Sequence, residues 1–150
     1  MKKYIVIYNK NSRGKTYSKK DLENIFSSHD LDTNIFITSE INDVDKIIKN
    51  YKNSKDYVYC AIGGDGTLNS LVNSLLSNNI NNPEVACIAS GSGSDFMRTF
   101  AMPVDIHEAI LRIKNNQNYS IDAAFIESKT KSRYFINVLN YGFLAETVNL

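Results

Sequence analysis

The residues best suited to chemistry form the string Gly63-Gly64-Asp65-Gly66-Thr67, between an apolar segment and an amphipathic one. The apolar run at 57–62 predicts a buried strand, and apolar residues at helical spacing over 68–76 predict a helix. Paired glycines allow positive φ and a close approach of a ligand, and a helix N-terminus attracts anions. A bare tight turn would explain the first two glycines but not the whole string. We therefore predict a phosphate site in which Asp65 holds a cation.

Two further polar loops are expected near this turn. Residues 9–16 follow the first predicted strand and offer Asn9, Ser12 and Arg13, together with backbone amides, to a phosphate. This segment is not a Walker A loop, because Asn9 stands where that loop requires glycine. Residues 90–95, Ser-Gly-Ser-Gly-Ser-Asp, follow the fourth predicted strand and match only half of a dinucleotide-binding fingerprint. We therefore do not predict a dinucleotide site.

Strands and helices alternate along the chain in an order that would bring these loops together. The apolar patterns predict strands at 3–8, 34–38, 57–62 and 84–89, and helices at 18–28, 41–51, 68–76, 96–100 and 105–114. Such alternation is typical of an α/β fold, so we predict three α/β/α layers with a mostly parallel sheet. Ligands of such sheets bind at the carboxyl ends of the strands, where the three loops would converge.

The pattern changes after residue 117. Residues 119–127 and 134–143 alternate or run apolar on either side of a charged turn, which predicts an antiparallel hairpin. A two-stranded hairpin is marginally stable on its own. We therefore predict a nucleotide-binding α/β domain at 1–117 and the beginning of a second, β-rich domain at 118–150. We expect the chain to be a truncated piece of a longer protein.

The composition is typical of a globular protein of the cytoplasm, with 150 residues, 43% of them hydrophobic, and a net charge of +1. No apolar stretch approaches the ~20 residues of a membrane-spanning helix. Cys60 and Cys87 fall in predicted strands and are interpreted as reduced core residues, and His29 and His107 as ordinary surface histidines. Lysines and arginines cluster before the first acid, Asp21. They either attract polyphosphate or an anionic membrane surface, or simply form a solvated face.

Two motifs together resemble the catalytic domain of diacylglycerol kinases and related lipid kinases. The string from Gly63 to Asn69 is similar to that family's GGDGTxN block, and residues 91–98, Gly-Ser-Gly-Ser-Asp-Phe-Met-Arg, to its PxGTGNDFAR block. Three further segments of the chain are similar to parts of that family. Residues 9–14 resemble its NPxSG loop, residues 120–122 its IDL strand, and residues 135–145 its FxN…GFDA segment. GGDGT alone is shared with NAD kinases, and the second block favours the lipid-kinase branch.

The chain departs from the family's blocks at several positions. Lys10 and Ala89 replace prolines, Ser92 replaces a threonine, Ser94 an asparagine and Leu144 an aspartate. Ser92 keeps a hydroxyl group and Ser94 can still hydrogen-bond, so we interpret the changes as drift within a working nucleotide site. Two alternatives stay open, a NAD kinase-like enzyme with a soluble acceptor and a non-catalytic nucleotide-binding regulatory module.

The resemblance implies a kinase that uses ATP and Mg²⁺ to phosphorylate a lipid hydroxyl, with residues 118–150 opening its lipid-binding domain. It implies nucleotide contacts at a set of residues from all three loops: Asn9, Ser12, Arg13, Thr38, Gly63, Gly64, Asp65, Gly66, Thr67, Asn69 and Ser92. It implies Mg²⁺-associated carboxylates at Asp65, Asp95 and Asp122. Asp95 has the simpler interpretation of a helix N-cap, and Asp122 that of a solvent-facing strand residue.

The family's general base is an aspartate of the second domain, so we expect it C-terminal to Leu150 and assign no catalytic base within the chain. The implied partners are a nucleotide and a membrane lipid, with peripheral contact at the inner face of the membrane. A homodimer is allowed for, and no nucleic-acid partner is expected. The identity of the acceptor lipid does not follow from these residues.

Overall fold

Strands and helices alternate along the chain in the computed structural model, which describes residues 2–52, 54–90, 93–115 and 118–137. The strands of the first part are β1 (Lys3–Asn9), β2 (Thr33–Thr38), β3 (Tyr57–Gly63) and β4 (Glu84–Ala89). The helices are α1 (Lys19–Ser27), α2 (Ile41–Asn50), α3 (Asp65–Ser77), α4 (Asp95–Thr99) and α5 (Ile106–Lys114). A single 3₁₀ turn, Ser54–Asp56, precedes β3, and the strands β5 (Ala124–Glu127) and β6 (Ser132–Phe135) follow α5.

The first four strands form one parallel sheet in the order β2-β1-β3-β4. The register places Asn9 of β1 opposite Thr38 of β2, and Tyr8 opposite Ile62 of β3. The carboxyl ends of these three strands therefore lie level at one edge of the sheet. The central strands β1 and β3 are buried along almost their whole length, as expected for parallel strands covered on both faces.

Helices cover both faces of this sheet. Because side chains alternate along a strand, Tyr4, Val6 and Tyr8 of β1 face one layer, formed by α1 and α5. Ile5 and Ile7 face the opposite layer, formed by α2 and α3. The predicted α/β/α architecture with a mostly parallel sheet is therefore confirmed.

The chain leaves β1 toward one face of the sheet and leaves β3 toward the other, since α1 and α3 lie in different layers. In open α/β sheets, a crevice forms outside the carboxyl ends of two neighbouring strands whose connections diverge in this way. The topology therefore places the ligand crevice of this fold between the ends of β1 and β3.

The strands β5 and β6 form a separate antiparallel hairpin, in which Ala124 lies opposite Phe135. The hairpin agrees with the prediction but is shorter, and its expected extension over 138–143 lies outside the described residues. It is not isolated, because the Tyr134 N–H donates to Asn73 Oδ1 of α3 at 2.9 Å. Ile136 also packs against the core between the sheet and α2 and α3. The division into domains at residue 117 stays a prediction.

His29 and His107, interpreted from the sequence as ordinary surface histidines, are brought together by the fold. The C-terminal end of α1 and the N-terminal end of α5 lie in the same layer, and His29 Nε2 is 3.0 Å from His107 Nδ1.

Within the described residues, no helix combines the length and the apolar character needed to cross a bilayer.

Candidate functional site

A cleft of about 310 Å³ opens at the carboxyl ends of β1 and β2, beside the first turn of α3. Four of the predicted nucleotide contacts line it, namely Asn9, Thr38, Gly66 and Thr67. The remaining lining residues were not predicted: Asn11, Ser39, Glu40, Val44, Ser70 and Arg133. The cleft adjoins the crevice between β1 and β3, because Asn9 ends β1 and the first turn of α3 follows β3.

Asn9 and Thr67 meet across this crevice. Asn9 Nδ2 donates to Thr67 Oγ1 at 3.3 Å, which joins the end of β1 to the first turn of α3. The Asn9 side-chain oxygen accepts the Asn11 N–H at 3.0 Å, which fixes the orientation of the amide. Thr38 is buried and its hydroxyl donates to the Tyr8 carbonyl at 3.3 Å. These bonds hold polar side chains from three elements at one edge of the sheet.

The glycines of the 63–67 string act differently from the prediction. We expected positive φ, but Gly64 is extended at φ −100° and ψ −171°, and neither Gly63 nor Gly66 lies in the left-handed region. Gly63 is needed for another reason, because a Cβ there would lie 2.4 Å from Thr67 Oγ1. A Cβ at Gly66 would meet no atom within 4 Å, so this position faces open space in the cleft.

The helix α3 begins at Asp65, three residues earlier than predicted, and its first turn includes Gly66 and Thr67. The Thr67 and Leu68 N–H groups donate to the Gly64 carbonyl at 3.0 and 3.2 Å. Within the described part of the chain, the Gly66 N–H has no acceptor. An unpaired N–H at the positive end of a thirteen-residue helix is a suitable donor for an anion in the cleft.

The three predicted loops do converge. The Asp65 N–H donates to the Gly93 carbonyl at 2.9 Å, and the Ser90 N–H to the Gly63 carbonyl at 3.0 Å. The Ser90 hydroxyl donates to the Lys15 carbonyl at 2.8 Å, which joins the 9–16 loop to the 90–95 loop. The glycine string thus lies between the other two loops and is bonded to both of them.

The predicted Mg²⁺ residues are only partly brought together. Asp65 accepts the N–H groups of Asp95 and Phe96, and the Asp95 carboxylate forms an ion pair with Arg98 at 2.9 Å. Asp95 is the first residue of α4 and Ser94 is the N-cap, so the N-cap interpretation of Asp95 is wrong. Asp122 is exposed and precedes β5, outside any strand. The described residues contain no group of three or more side chains of the kinds that ligate metals.

The other predicted contacts that the structure describes do not line the cleft. Ser12 donates back to the Asn9 carbonyl at 2.8 Å, and Arg13 is exposed. Asn69 lies on α3 with its Oδ1 buried and without a partner among the described atoms. Ser92 falls outside the described residues. Arg133 was missed because it belongs to the hairpin, whose sequence carries no phosphate-binding motif.

A second cavity, of about 210 Å³, lies at the outer edge of β4. Its lining is largely apolar and includes Phe96, Phe100 and Tyr119. Neither Asn9 nor the first turn of α3 contributes to it. We therefore assign the polar chemistry to the cleft that Asn9 and the first turn of α3 line.

Comparison with known proteins finds one family by sequence and by structure. The model of the diacylglycerol kinase catalytic domain matches residues 3–126. A diacylglycerol kinase of Staphylococcus saprophyticus is 31% identical over 144 residues, which cover 94% of this chain and 45% of that protein. A diacylglycerol kinase of Staphylococcus aureus strain JH9 is also 31% identical, over 94% of this chain and 44% of its own length.

A crystal structure of a diacylglycerol kinase from Bacillus anthracis superimposes with a TM-score of 0.64 at 26% sequence identity. The superposition covers 81% of this chain and 42% of that one. The chain therefore spans less than half the length of the relatives that it matches.

Proposed function

Since the chain belongs to the diacylglycerol kinase catalytic domain family, we propose that it binds ATP with Mg²⁺ and presents the terminal phosphoryl group to a lipid hydroxyl. The observation that carries this proposal is the Asn9–Thr67 contact across the crevice, beside the Gly66 N–H, which has no acceptor among the described residues. Neutral donors at a helix N-terminus suit a polyphosphate chain.

Phosphoryl transfer requires positioning and charge neutralisation more than covalent help from the protein. Gly66 N–H and the Thr67 hydroxyl would donate to phosphate oxygens, and Asn9 would keep the Thr67 side chain in place through their 3.3 Å contact. Thr38 and Asn11 line the same cleft and would add polar contacts to the nucleotide. The lipid hydroxyl also needs a base to accept its proton, and no described residue is given that role.

The carboxylates at this edge fit a hard cation, because Mg²⁺ takes oxygen ligands and usually keeps several waters and substrate phosphates. Asp65 and Asp95 are the residues that would hold it, directly or through water. Asp95 has one carboxylate oxygen paired with Arg98, and the Asp65 oxygens each accept one N–H, which leaves lone pairs on both groups. When bound, the ion would neutralise charge on the transferring phosphoryl group.

Nucleotide binding can be tested by thermal unfolding with increasing ATP and Mg²⁺. A ligand of the native state at 100 times its dissociation constant stabilises by about 2.7 kcal/mol, so the melting temperature should rise with concentration. Thr67→Val removes the hydroxyl at nearly constant volume and should reduce the shift, while Thr67→Ser keeps the hydroxyl and should preserve it. No shift at millimolar ATP in a folded sample would contradict the proposal.

The acceptor can be tested separately, by phosphate transfer from labelled ATP to diacylglycerol and other lipids in mixed micelles. Soluble acceptors, including NAD, belong in the same panel. Transfer to a lipid supports the proposal, and transfer to NAD alone would support the NAD kinase-like alternative. Nucleotide binding without transfer to any acceptor would favour the regulatory alternative.

A further inference from the structure

Arg133 brings a positive charge into the cleft from outside the α/β sheet. It lies on β6, and it is the cation among the described residues that line the cleft. The other charged lining residue is Glu40, which precedes α2. The cations that the sequence suggested for this role lie elsewhere, since Arg13 does not line the cleft and the Lys15 ammonium rests 5.5 Å from the Tyr17 ring.

The position of Arg133 follows from the docking of the hairpin. Tyr134, its neighbour on β6, donates its N–H to Asn73 of α3 at 2.9 Å, two turns beyond the start of the helix. Phe125 and Tyr134 lie opposite each other across the hairpin with their rings 4.7 Å apart. Because side chains alternate along a strand, Arg133 occupies the other face of the hairpin, and Arg133 is among the residues that line the cleft.

The Arg133 guanidinium is available for an anionic ligand. No described carboxylate lies within ion-pair distance of it. A guanidinium group can bind phosphate oxygens in a bidentate manner, and Arg133 lines the same cleft as the N-terminal, positive end of α3. We infer that Arg133 binds the phosphate groups of the nucleotide, opposite Gly66 and Thr67. This inference rests on the proposed function and adds to it a ligand that the glycine motifs do not include.

A phosphate held in this way would also connect two parts of the chain. The strand β5 is exposed along its whole length, and β6 is exposed at Ser132 and Arg133. Phosphates bonded to both Arg133 and the first turn of α3 would add a second attachment, besides the Tyr134–Asn73 bond. Nucleotide binding should therefore slow amide hydrogen exchange in residues 132–135, through contacts that adenosine cannot make.

The test measures the affinities of adenosine, AMP, ADP and ATP by calorimetry, for the unmodified protein and three variants. Arg133→Gln removes the positive charge, and Arg133→Lys keeps the charge but lacks the planar guanidinium group. Lys131→Gln is the control. Lys131 is an exposed hairpin residue outside the cleft, so this variant makes the same change in net charge nearby. Measurements at ~0.15 M salt screen charges farther than about 8 Å apart.

For the unmodified protein, affinity should rise with the number of phosphates. Arg133→Gln should weaken ATP binding by about 10-fold or more, because hydrogen bonds to charged groups are among the stronger ones. It should leave adenosine binding unchanged and abolish the protection of residues 132–135 by ATP. Lys131→Gln should bind ATP as the unmodified protein does, and Arg133→Lys should recover part of the lost affinity.

The outcomes separate the two proposals. If the folded, unmodified protein binds none of the four compounds, the proposed function fails. If it binds ATP and a folded Arg133→Gln variant binds ATP equally well, the role of Arg133 is wrong and the proposed function stands. If Lys131→Gln weakens ATP binding as much as Arg133→Gln does, the inference is also wrong. The effect would then come from the net charge of the hairpin and not from a contact between Arg133 and the phosphates. Circular dichroism of each variant establishes that it is folded.

Discussion

The Asp65 carboxylate accepts the backbone N–H of Asp95 at 2.9 Å, and this bond ties the two glycine-rich motifs together. The other Asp65 oxygen accepts the Phe96 N–H at 3.2 Å, so the side chain bonds two N–H groups in the first turn of α4. The Asp65 N–H in turn donates to the Gly93 carbonyl. One residue at the start of α3 therefore positions the start of α4.

We predict from this geometry that Asp65→Ala and Asp65→Asn differ in their effects. The alanine variant leaves the Asp95 and Phe96 N–H groups without an acceptor, which should cost about 1 kcal/mol of unfolding free energy, as for other lost helix caps. The asparagine variant keeps an acceptor oxygen for one of the two N–H groups, with its NH2 group facing the other, and should lose less stability than the alanine variant. Urea unfolding of both variants measures the difference.

The same pair of variants examines the cation role of Asp65. Asparagine removes the negative charge, so it should weaken the dependence of ATP binding on Mg²⁺ even where stability is preserved. If Asp65→Asn binds ATP with the same Mg²⁺ dependence as the unmodified protein, the residue is structural and the metal assignment fails.

Gly63→Ala should destabilise the fold. The added methyl would lie 2.4 Å from Thr67 Oγ1 and 2.7 Å from its Cβ, closer than such atoms can approach. Gly63 is buried at the end of a central strand, so relief requires movement of the strand or of the α3 first turn. Overpacking of this kind typically costs about 1–3 kcal/mol, measurable by denaturant unfolding. Unchanged stability would mean that α3 can shift away from β3 at little cost.

Much of the site could be predicted because it depends on strand ends. An alternating α/β pattern predicts parallel strands whose carboxyl ends meet at one edge of the sheet. The glycine string follows directly after one of these strands. That rule is enough to place Asn9, Thr38 and Thr67 at one edge of the sheet from the order of the elements. The register confirms the level ends, with Asn9 opposite Thr38.

The rest depends on tertiary packing that leaves no local pattern. Arg133 reaches the cleft because β6 docks on α3 through the Tyr134–Asn73 bond, between residues 61 positions apart. The contact of His29 with His107 joins positions 78 apart, through the packing of α1 and α5 in one layer. The reason for glycine at 63 is likewise a contact, with Thr67, and not the backbone angle that we expected.

Three helix-start carboxylates should make the protein less stable in acid. Hydrogen bonds lower the pKa of each below its ordinary value, chiefly from the Ser18 hydroxyl for Asp21, the Glu40 N–H for Asp43 and the Glu108 N–H for Asp105. Because the folded pKa lies below the unfolded one, their stabilisation is present at neutral pH. It is lost as the pH falls below about 4, through the folded pKa values.

The change to test is the triple variant Asp21→Asn, Asp43→Asn and Asp105→Asn. Asparagine can still accept N–H bonds but does not titrate, so the variant should lose less stability between pH 7 and pH 3 than the unmodified protein. Urea unfolding at both pH values gives, for each protein, the change in unfolding free energy between pH 7 and pH 3. An identical acid dependence would show that other groups control it.

Both cysteines should be unreactive in the folded protein. Burial raises the pKa of the Cys60 thiol far above its ordinary range, and it raises the pKa of Cys87 to about 11. At pH 8 only about one Cys87 thiol in a thousand would then be the reactive thiolate. A thiol-specific chromogenic reagent should react slowly with the native protein and rapidly with both cysteines in denaturant. Rapid labelling of one thiol under native conditions would reveal local opening at β3 or β4.

Gly66→Ala separates ligand binding from stability, in contrast to Gly63→Ala. A Cβ at Gly66 would meet no atom within 4 Å, so the folded protein should tolerate it. Alanine is favoured over glycine in helices by up to about 1 kcal/mol, so stability should be equal or slightly higher. The methyl would nevertheless project into the space where the proposal places phosphates, next to Thr67, and ATP binding should weaken. Ser70→Ala, one helical turn further along the cleft, removes a hydroxyl group without adding volume, so it should weaken ATP binding less than Gly66→Ala does. Calorimetric titration of both variants with ATP and Mg²⁺ measures this difference. If Gly66→Ala binds ATP as tightly as the unmodified protein, the phosphates do not approach the first turn of α3.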